Sequence, residues 1–481
     1  MKNVLKSLIL LLTAAVLVLS STGCSSGSKG DNGAVTITWW LGGDQPEDFD
    51  EALKVMNDYT AEKIGVKLDL KLASSGDYSE KVNMVINSGE YFDMMWTDVT
   101  NYKKYAQMGA FADITDKVKT VSEQLYNFIP QNLWDGVLVD GKIYSVPTYK
   151  DSSATFYVCW DKALIDKYGI DYKNVDTIEE VSDWMYKINK DTGKNVWTCS
   201  GYSRGASNWF YKDYSTLVSG LGYVIGVGMF DESLKVVPVL EQETPMNALK
   251  IYHQWYKDGI INQDAPTLSS MPSKTNILCA QGFPGAESIW AGTLGCKETV
   301  ITPICDPFYD TGTIQGSLNA ISSGSKYADK CLKYLELLNT DTYLRNMMAY
   351  GIRGKDWEYV EGDSGTVTKL SDNWTLPAFY QATFFNMSPL DTDPANKYDL
   401  IKGMNEQAKS SVVCGFALDK TNIETQIANC RAIYDKYWTE LACGASDPEK
   451  IVPQMYDEMY QVGLQDIIDE TQKQVNKFGG K

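Results

Sequence analysis

The chain has 481 residues, 44% of them hydrophobic and 22% charged, which is the composition of an ordinary globular protein too long for one hydrophobic core. Its formal net charge of −18 repels a phosphate backbone, so a nucleic acid is excluded as a natural partner. The single histidine, His253, cannot build a multi-histidine zinc site, and we expect neither a metal nor a cofactor.

The N-terminus has the pattern of an export signal that ends at a lipid-modified cysteine. Lys2 and Lys6 precede an apolar run over residues 8–19, and small residues lead on to Cys24. The run is shorter than the about 20 residues of a membrane-spanning helix. The pattern resembles that of bacterial lipoproteins, which implies cleavage before Cys24, lipid attachment to its sulfur, and tethering to the outer face of the cell membrane. Secretion without an anchor is the alternative.

Residues 1–23 are therefore assigned to the signal peptide. Residues 24–33 are small and polar, which predicts a flexible tether, and the folded part begins at residue 34. Besides Cys24 the chain has nine cysteines. Because an odd number cannot all pair and several lie in apolar runs, we expect mostly buried free thiols.

The first folded segment alternates between strand and helix patterns. Strands are predicted over 35–41, 66–72 and 92–96, and helices over 47–63 and 77–87. This order predicts a parallel sheet covered by helices. Ligands of such sheets bind beyond the carboxyl ends of the strands, which here are residues 41–44 and 96–100.

The rest of the chain is predicted to pass between two α/β lobes. Lobe 1 is predicted to comprise residues 34–148 and 282–349, and lobe 2 residues 149–281 and 350–481. The first crossing is expected at residues 147–150, and another near Tyr350. The end of the chain is predicted to be helical over 395–410, 421–441 and 447–477.

Aromatic and acidic side chains at the predicted strand ends and crossings are the candidate ligand contacts. An aromatic ring can stack on the apolar face of a sugar, and a carboxylate can accept hydrogen bonds from paired hydroxyls. Core packing is the alternative role for each ring. The candidates are Trp40, Asp44, Trp96, Asp98, Tyr149, Glu287, Trp290 and Trp357.

No catalytic signature is present: the sequence lacks a G-x-S-x-G elbow, a Walker A loop, an H-E-x-x-H motif and a dinucleotide fingerprint. We therefore do not expect an enzyme. Paired carboxylates remain compatible with an extracellular glycosidase, but nothing marks one pair among the 62 acidic residues.

Several segments in order along the chain resemble the extracellular solute-binding proteins of ABC importers, family 1, the maltose-binding-like group, and within it the LipO-like lipoproteins. They include WLGGD at residues 40–44 and YGIRGKDW at residues 350–357, together with segments 77–97, 109–115 and 141–148. The resemblance implies a two-lobed periplasmic-binding-protein type II fold of the α/β class, with crossed hinge connections and extra C-terminal helices. Arg353 departs from the acidic residue expected at that position.

The resemblance also implies a function: a monomeric, lipid-anchored protein captures a carbohydrate, expected to be an oligosaccharide, and delivers it to the permease subunits of an ABC transporter. A peptide, an amino acid or a polyamine is the alternative ligand. An extracellular glycosidase and a sensor that presents ligand to a membrane kinase are alternatives from other classes.

Overall fold

The computed structural model describes residues 33–201, 205–272 and 275–480. The predicted signal peptide, Cys24 and the predicted tether except Gly33 lie outside the described residues. Two separate hydrophobic cores divide the described chain into two lobes, as predicted.

Lobe 1 begins with three strands and two helices in the predicted order. Their bounds are β1 Val35–Gly42, α1 Phe49–Ile64, β2 Val66–Ala73, α2 Tyr78–Ser88 and β3 Met94–Thr97. β1 lies between β2 and β3 and is parallel to both. α1 ends at Gly65, whose φ of 66° is left-handed and favours glycine. The alternation of strand and helix periodicity predicted these elements to within two residues.

Short elements complete the first pass through lobe 1. They are α3 Tyr102–Gln107, α4 Thr115–Val121, α5 Glu123–Phe128, α6 Gln131–Asp135, β4 Leu138–Val139, β5 Lys142–Ile143 and β6 Ser145–Pro147. β4 and β5 form an antiparallel pair, and β6 joins the edge of the lobe 1 sheet.

Lobe 2 is built around a strand that is buried along its length. The elements in chain order are β7 Thr155–Asp161, α7 Lys162–Tyr168, α8 Ile178–Thr192, β8 Tyr214–Thr216, β9 Ile225–Gly228, β10 Val237–Pro238, α9 Glu243–Lys257, β11 Ile277–Gly282, α10 Glu287–Leu294 and β12 Thr299–Pro303. β7 lies between β11 and β12 and is antiparallel to both. The side chains of Phe156, Val158 and Trp160 on β7 have no exposed surface, so this strand is the centre of the second core.

The chain then returns to lobe 1. The elements are β13 Phe308–Tyr309, α11 Thr311–Ile314, β14 Leu318–Ile321, α12 Ala328–Thr340, α13 Thr342–Tyr350, β15 Trp357–Val360 and β16 Asp363–Lys369. β14 inserts antiparallel between β3 and β6 and completes the sheet order β2-β1-β3-β14-β6.

The C-terminal part is helical. Its elements are α14 Lys397–Gln407, β17 Lys409–Ser410, α15 Glu424–Ala442, α16 Pro448–Gln461 and α17 Leu464–Phe478. Short 3-10 turns occur at Tyr172–Asn174, Gly205–Trp209, Tyr211–Asp213, Val239–Glu241, Ala265–Thr267 and Ala378–Tyr380. The helix predicted over 447–477 is two helices, because Gly463 adopts a φ of 108° between them.

The structure moves two of the predicted lobe boundaries. Residues 282–303 belong to lobe 2 and not to lobe 1, because β12 pairs with β7. The segment that follows Tyr350 belongs first to lobe 1, because Trp357 and Trp374 pack in the lobe 1 core. The chain re-enters lobe 2 only near Val413, which is part of the lobe 2 core. The boundaries differ because the local patterns of β12 and β15 do not specify their partners, which only the folded structure shows.

Three crossing segments lie side by side between the lobes, and we call them the hinge: residues 148–154, 304–310 and 405–412. A bridge joins Ala154 to Phe308, and the short strands β13 and β17 pair in parallel. Asn405 ties the first crossing to the third. Its Oδ1 accepts hydrogen bonds from the backbone N–H and hydroxyl of Ser153 at 3.0 and 2.8 Å, and its Nδ2 donates to the carbonyl of Lys150 at 2.6 Å.

The nine cysteines of the described part of the chain form no disulfide with one another. Six are buried, and the other three are half-buried. Burial raises the pKa of the Cys159 thiol to about 12, so this side chain is an uncharged apolar group at neutral pH.

Candidate functional site

The carboxyl ends of β1 and β3 lie together at one edge of the lobe 1 sheet. The hydroxyl of Tyr78 is within hydrogen-bond distance of the carbonyl oxygens of both Trp40 (3.1 Å) and Trp96 (2.8 Å). This contact holds the two strand ends in register. The residues that follow the strands, 42–44 and 97–100, therefore form one surface, as expected for a ligand site on a parallel sheet.

Three aromatic rings at this edge form what we call the aromatic platform: Trp96, Phe379 and Tyr380. The ring centroids of Trp96 and Tyr380 are 4.3 Å apart, and those of Phe379 and Tyr380 are 4.1 Å apart. Trp96 and Tyr380 are half-buried, while Phe379 keeps 40% of its surface exposed. Gly42 permits this packing, because a Cβ there would lie 2.9 Å from the Tyr380 ring.

The platform is anchored to the sheet through Ser317. The indole N–H of Trp96 donates to the Ser317 hydroxyl at 3.0 Å, and that hydroxyl donates to the carbonyl of Phe379 at 2.6 Å. Ser317 itself is buried, at 1% exposed. The indole N–H of Trp96 is thus already hydrogen-bonded within the protein, and the face of the ring is left for apolar contact.

Glu287 and Trp290 are the predicted contacts on lobe 2, and both lie on α10. The Glu287 carboxylate accepts the backbone N–H of Gly285 at 3.0 Å, and Trp290 packs edge-to-face against Tyr157 with 6.2 Å between ring centroids. Both side chains are half-buried. Gly282, at the end of β11, lets the Trp290 ring approach the backbone, because a Cβ there would lie 2.5 Å from the indole.

The predicted contacts divide into accessible and buried side chains. Asp44 is exposed, and Trp96, Asp98, Glu287 and Trp290 are half-buried. Asp98 accepts the backbone N–H of Thr100 at 3.0 Å.

Three predicted contacts are core residues instead. Trp357 has no exposed surface, and its indole N–H donates to the carbonyl of Gly351 at 2.9 Å. Trp40 and Tyr149 are only 6% and 4% exposed. For these three rings, core packing outweighs the ligand role that their sequence positions indicated.

Phe379 and Tyr380 were missed by the sequence reasoning. They lie on a 3-10 turn in a segment without strand or helix periodicity, far along the chain from β1 and β3. The adjacent pair of rings after Pro377 was the available signal.

Arg353 is a surface residue: its Nε donates to Glu358 at 2.6 Å, and its guanidinium stacks 4.8 Å from the centroid of the Tyr359 ring.

A cavity of about 690 Å³ lies where the two lobes meet, and we call it the interlobe cavity. Its wall is formed by residues between 99 and 108 of lobe 1, by Asp310 of the hinge, by Thr311 and Gly312 at the start of α11, and by residues between 211 and 219 and between 416 and 424 of lobe 2. None of the eight predicted contacts lines this cavity. The two features are adjacent, because Val99 of the cavity wall lies three residues after Trp96 of the platform.

Two half-buried lysines connect the walls of the interlobe cavity. Lys103 of lobe 1 donates to the carbonyl of Ala417 in lobe 2, and Lys420 donates to the carbonyl of Ser219 at 3.1 Å. Burial lowers the pKa of both ammonium groups. The Lys103 contact is a direct polar link between the lobes in this arrangement.

The described residues contain no group of three or more His, Cys, Asp or Glu side chains arranged to hold a metal ion. Within residues 33–201, 205–272 and 275–480, no helix is both long and apolar enough to cross a membrane. His253 is half-buried, and its Nδ1 lies 2.8 Å from the carbonyl oxygen of Gly444.

Residues 42–264 match the bacterial extracellular solute-binding protein family, and residues 412–479 match a family described as a domain of unknown function (DUF3502). A carbohydrate ABC transporter substrate-binding protein of Streptococcus pneumoniae serotype 4 is 28% identical, over 95% of this chain and 94% of the relative.

Solved structures are similar over nearly the whole chain. The N-glycan transport solute binding protein (NgtS) from Streptococcus pneumoniae is 26% identical and superposes with a TM-score of 0.83, covering 93% of this chain and 99% of that one. The structure of NgtS in complex with Man1GlcNAc is 25% identical and gives a TM-score of 0.74, covering 93% of this chain and 100% of that one.

Proposed function

We propose that this chain, whose residues 42–264 match the bacterial extracellular solute-binding protein family, belongs to that family and captures an oligosaccharide between its two lobes. It then delivers the sugar to the permease of an ABC transporter. The related proteins described above support the ligand class, because one is named a carbohydrate ABC transporter substrate-binding protein and another an N-glycan transport solute binding protein. The protein acts by binding and release, without chemistry on the sugar.

The observation that carries the ligand class is the aromatic platform at the carboxyl ends of β1 and β3. A sugar ring presents an apolar face of C–H groups, which stacks on a flat aromatic ring, and a ring of hydroxyls around it. The half-buried face of Trp96 supplies the stacking surface, because its indole N–H is already bonded to Ser317.

Carboxylates near the rings accept hydrogen bonds from the sugar hydroxyls. Asp44 and Asp98 follow β1 and β3, and Glu287 lies on α10 of lobe 2, one helical turn from Trp290. We therefore assign Asp44, Trp96 and Asp98 to the lobe 1 half of the site. Glu287 and Trp290 form the lobe 2 half.

Lobe closure couples binding to transport. Ligand favours the closed form, because only there do both lobes contact it, and the three-segment hinge allows the lobes to rotate as bodies. The TM-score is lower against NgtS in complex with Man1GlcNAc than against the other NgtS structure. This difference agrees with an open arrangement of the lobes in the present structure.

The test is a calorimetric titration with Man1GlcNAc, Man5GlcNAc and a wider panel of plant, host and microbial glycans. A sugar at 100 times its Kd should stabilise the protein by about 2.7 kcal/mol and raise the Tm by roughly 5–10 °C. Trp96→Ala and Trp290→Ala should each weaken binding, while Trp184→Ala is the matched control, since Trp184 lies on the lobe 2 helix α8 beside Lys187. A response to peptides or polyamines alone would overturn the carbohydrate assignment. Turnover of a chromogenic glycoside would indicate a glycosidase.

We also propose that Cys24 carries a lipid that holds the protein on the extracellular face of the membrane. The apolar run over 8–19 followed by Ser21, Thr22, Gly23 and Cys24 supports it. Expressed in a bacterium, the protein should take up labelled fatty acid and partition with membranes. Labelling that persists in Cys24→Ala would contradict the anchor.

A further inference from the structure

The loop that carries two rings of the aromatic platform is held by an unusual set of hydrogen bonds. We call residues 378–383 the platform loop. Each of its six consecutive carbonyl oxygens accepts a hydrogen bond from a side chain of another segment. The pairs are Arg345 Nη2 with Ala378 (3.1 Å) and Ala382 (3.4 Å), Arg345 Nε with Thr383 (2.7 Å), Ser317 Oγ with Phe379 (2.6 Å), and Asn319 Nδ2 with Tyr380 and Gln381 (3.1 Å each).

The three donors come from elements of the lobe 1 core. Ser317 and Asn319 lie at and beside the start of β14, and Arg345 lies on α13. Their exposed fractions are 1%, 2% and 0%. Asn319 is saturated, since its Oδ1 also accepts the indole N–H of Trp39 at 3.2 Å. The loop is therefore joined to the sheet and to a helix by donor side chains that are buried from water.

Arg345 is a fully buried cation whose hydrogen bonds, within the described residues, all go to neutral acceptors. Besides the three carbonyls, its Nη1 donates to the side-chain oxygen of Gln381 at 2.9 Å. Burial lowers the pKa of the guanidinium to about 10. Burying a charge without a carboxylate partner is costly, and a neutral residue of similar volume would pack there at lower cost. The arginine at this place therefore points to the geometry that its planar fork imposes on the loop.

The geometry that Arg345 imposes on the platform loop determines the position of the Phe379 ring. Phe379 is 40% exposed, yet its own carbonyl and those on both sides are bonded to the core. A ring held on an ordered backbone loses little conformational entropy when a ligand stacks on it. A flexible loop of the same sequence would have to be ordered at the moment of binding.

We propose that Phe379 is a specificity-determining contact for the bound saccharide and that Arg345 is the positioning residue that sets its place through the platform loop. This inference rests on the proposed function and deepens it by naming a contact and its support. Phe379 extends the stacking surface beyond Trp96, so it selects ligands long enough to cover both rings. Arg345 does not touch the ligand.

The experiment is a double-mutant cycle on the full protein, using the longest glycan that binds in the titration described above. Phe379→Ala should weaken binding by about tenfold or more, Phe379→Trp should restore it, and a monosaccharide should be affected less. Phe230→Ala is the matched control, since Phe230 is 52% exposed on lobe 2. Arg345→Lys keeps the charge but loses the fork, and should weaken binding by about fivefold or more.

The double-mutant cycle distinguishes a positioning role of Arg345 from an effect on the overall stability of the protein. If Arg345 acts through Phe379, then Arg345→Lys in the Phe379→Ala background should change affinity by less than about twofold. Near-UV circular dichroism of Arg345→Lys should also change, because the Trp96 and Tyr380 rings are coupled at 4.3 Å. Arg431→Lys, an exposed arginine of lobe 2, should leave both readouts unchanged.

The proposal is overturned if Phe379→Ala binds the glycan as tightly as the unmodified protein, or if Arg345→Lys lowers only the Tm. Additive effects in the cycle would also overturn the positioning role. These results differ from failure of the proposed function, in which the unmodified and folded protein binds no glycan in the panel at all.

Discussion

Replacing Asn405 with alanine is expected to destabilise the hinge by about 4–5 kcal/mol. Asn405 is 4% exposed and makes three hydrogen bonds to the first crossing, two with Ser153 and one with Lys150. At about 1 kcal/mol for each bond the loss is about 3 kcal/mol, and the buried N–H of Ser153 left without its partner adds about 1–2 kcal/mol. Asn405→Asp keeps the acceptor for Ser153 but places a carboxylate oxygen against the carbonyl of Lys150, so it should also destabilise.

The assay is urea unfolding followed by both far-UV circular dichroism and tryptophan fluorescence, because two lobes can unfold in separate steps. Asn247→Ala is the matched control. Asn247 is exposed, and among the described residues its side chain bonds only to Glu179 at 2.6 Å, so its loss should change stability by less than about 0.5 kcal/mol. If Asn405→Ala costs less than about 1 kcal/mol, the reasoning fails, since water or a neighbouring group must then replace the lost bonds.

Further measurements test the core, the charges and the lobes. Trp357→Ala should lower stability by about 3–5 kcal/mol without changing glycan affinity, because its ring is fully buried in lobe 1; a tenfold loss of affinity by calorimetry would contradict this. Burial raises the pKa of Asp213, so the folded state holds that proton to higher pH than the unfolded state and loses stability as pH rises through this range. Asp213→Asn should therefore raise the Tm at pH 7 but not at pH 3, and an equal shift at both would refute the assignment. Small-angle scattering should show a smaller radius of gyration with bound glycan, whereas an unchanged radius would argue against closure.

Local periodicity was sufficient to predict the helices and strands at the start of lobe 1. The elements from β1 to β3 follow from alternating apolar residues in the strands and a 3.6-residue apolar repeat in the helices, closed by glycines such as Gly65. These signals are contained in each segment, so they need no knowledge of the rest of the chain. The expectation of free thiols and the two-lobed class followed in the same way from counting and from length.

Only the tertiary structure decided which lobe each later segment joins and which aromatic rings reach the surface. β12 belongs to lobe 2 because it pairs with β7, more than a hundred residues earlier in the chain, and no local pattern encodes that partner. Trp357 and Trp96 both lie on strands and look equivalent in the sequence. In the structure Trp357 of β15 packs in the core, whereas Trp96 at the end of β3 is half-buried beside Tyr380. The platform itself joins residues 96 and 379–380 through Ser317 and Arg345. Contacts between segments so far apart in the sequence arise only when the whole chain has folded around its two cores.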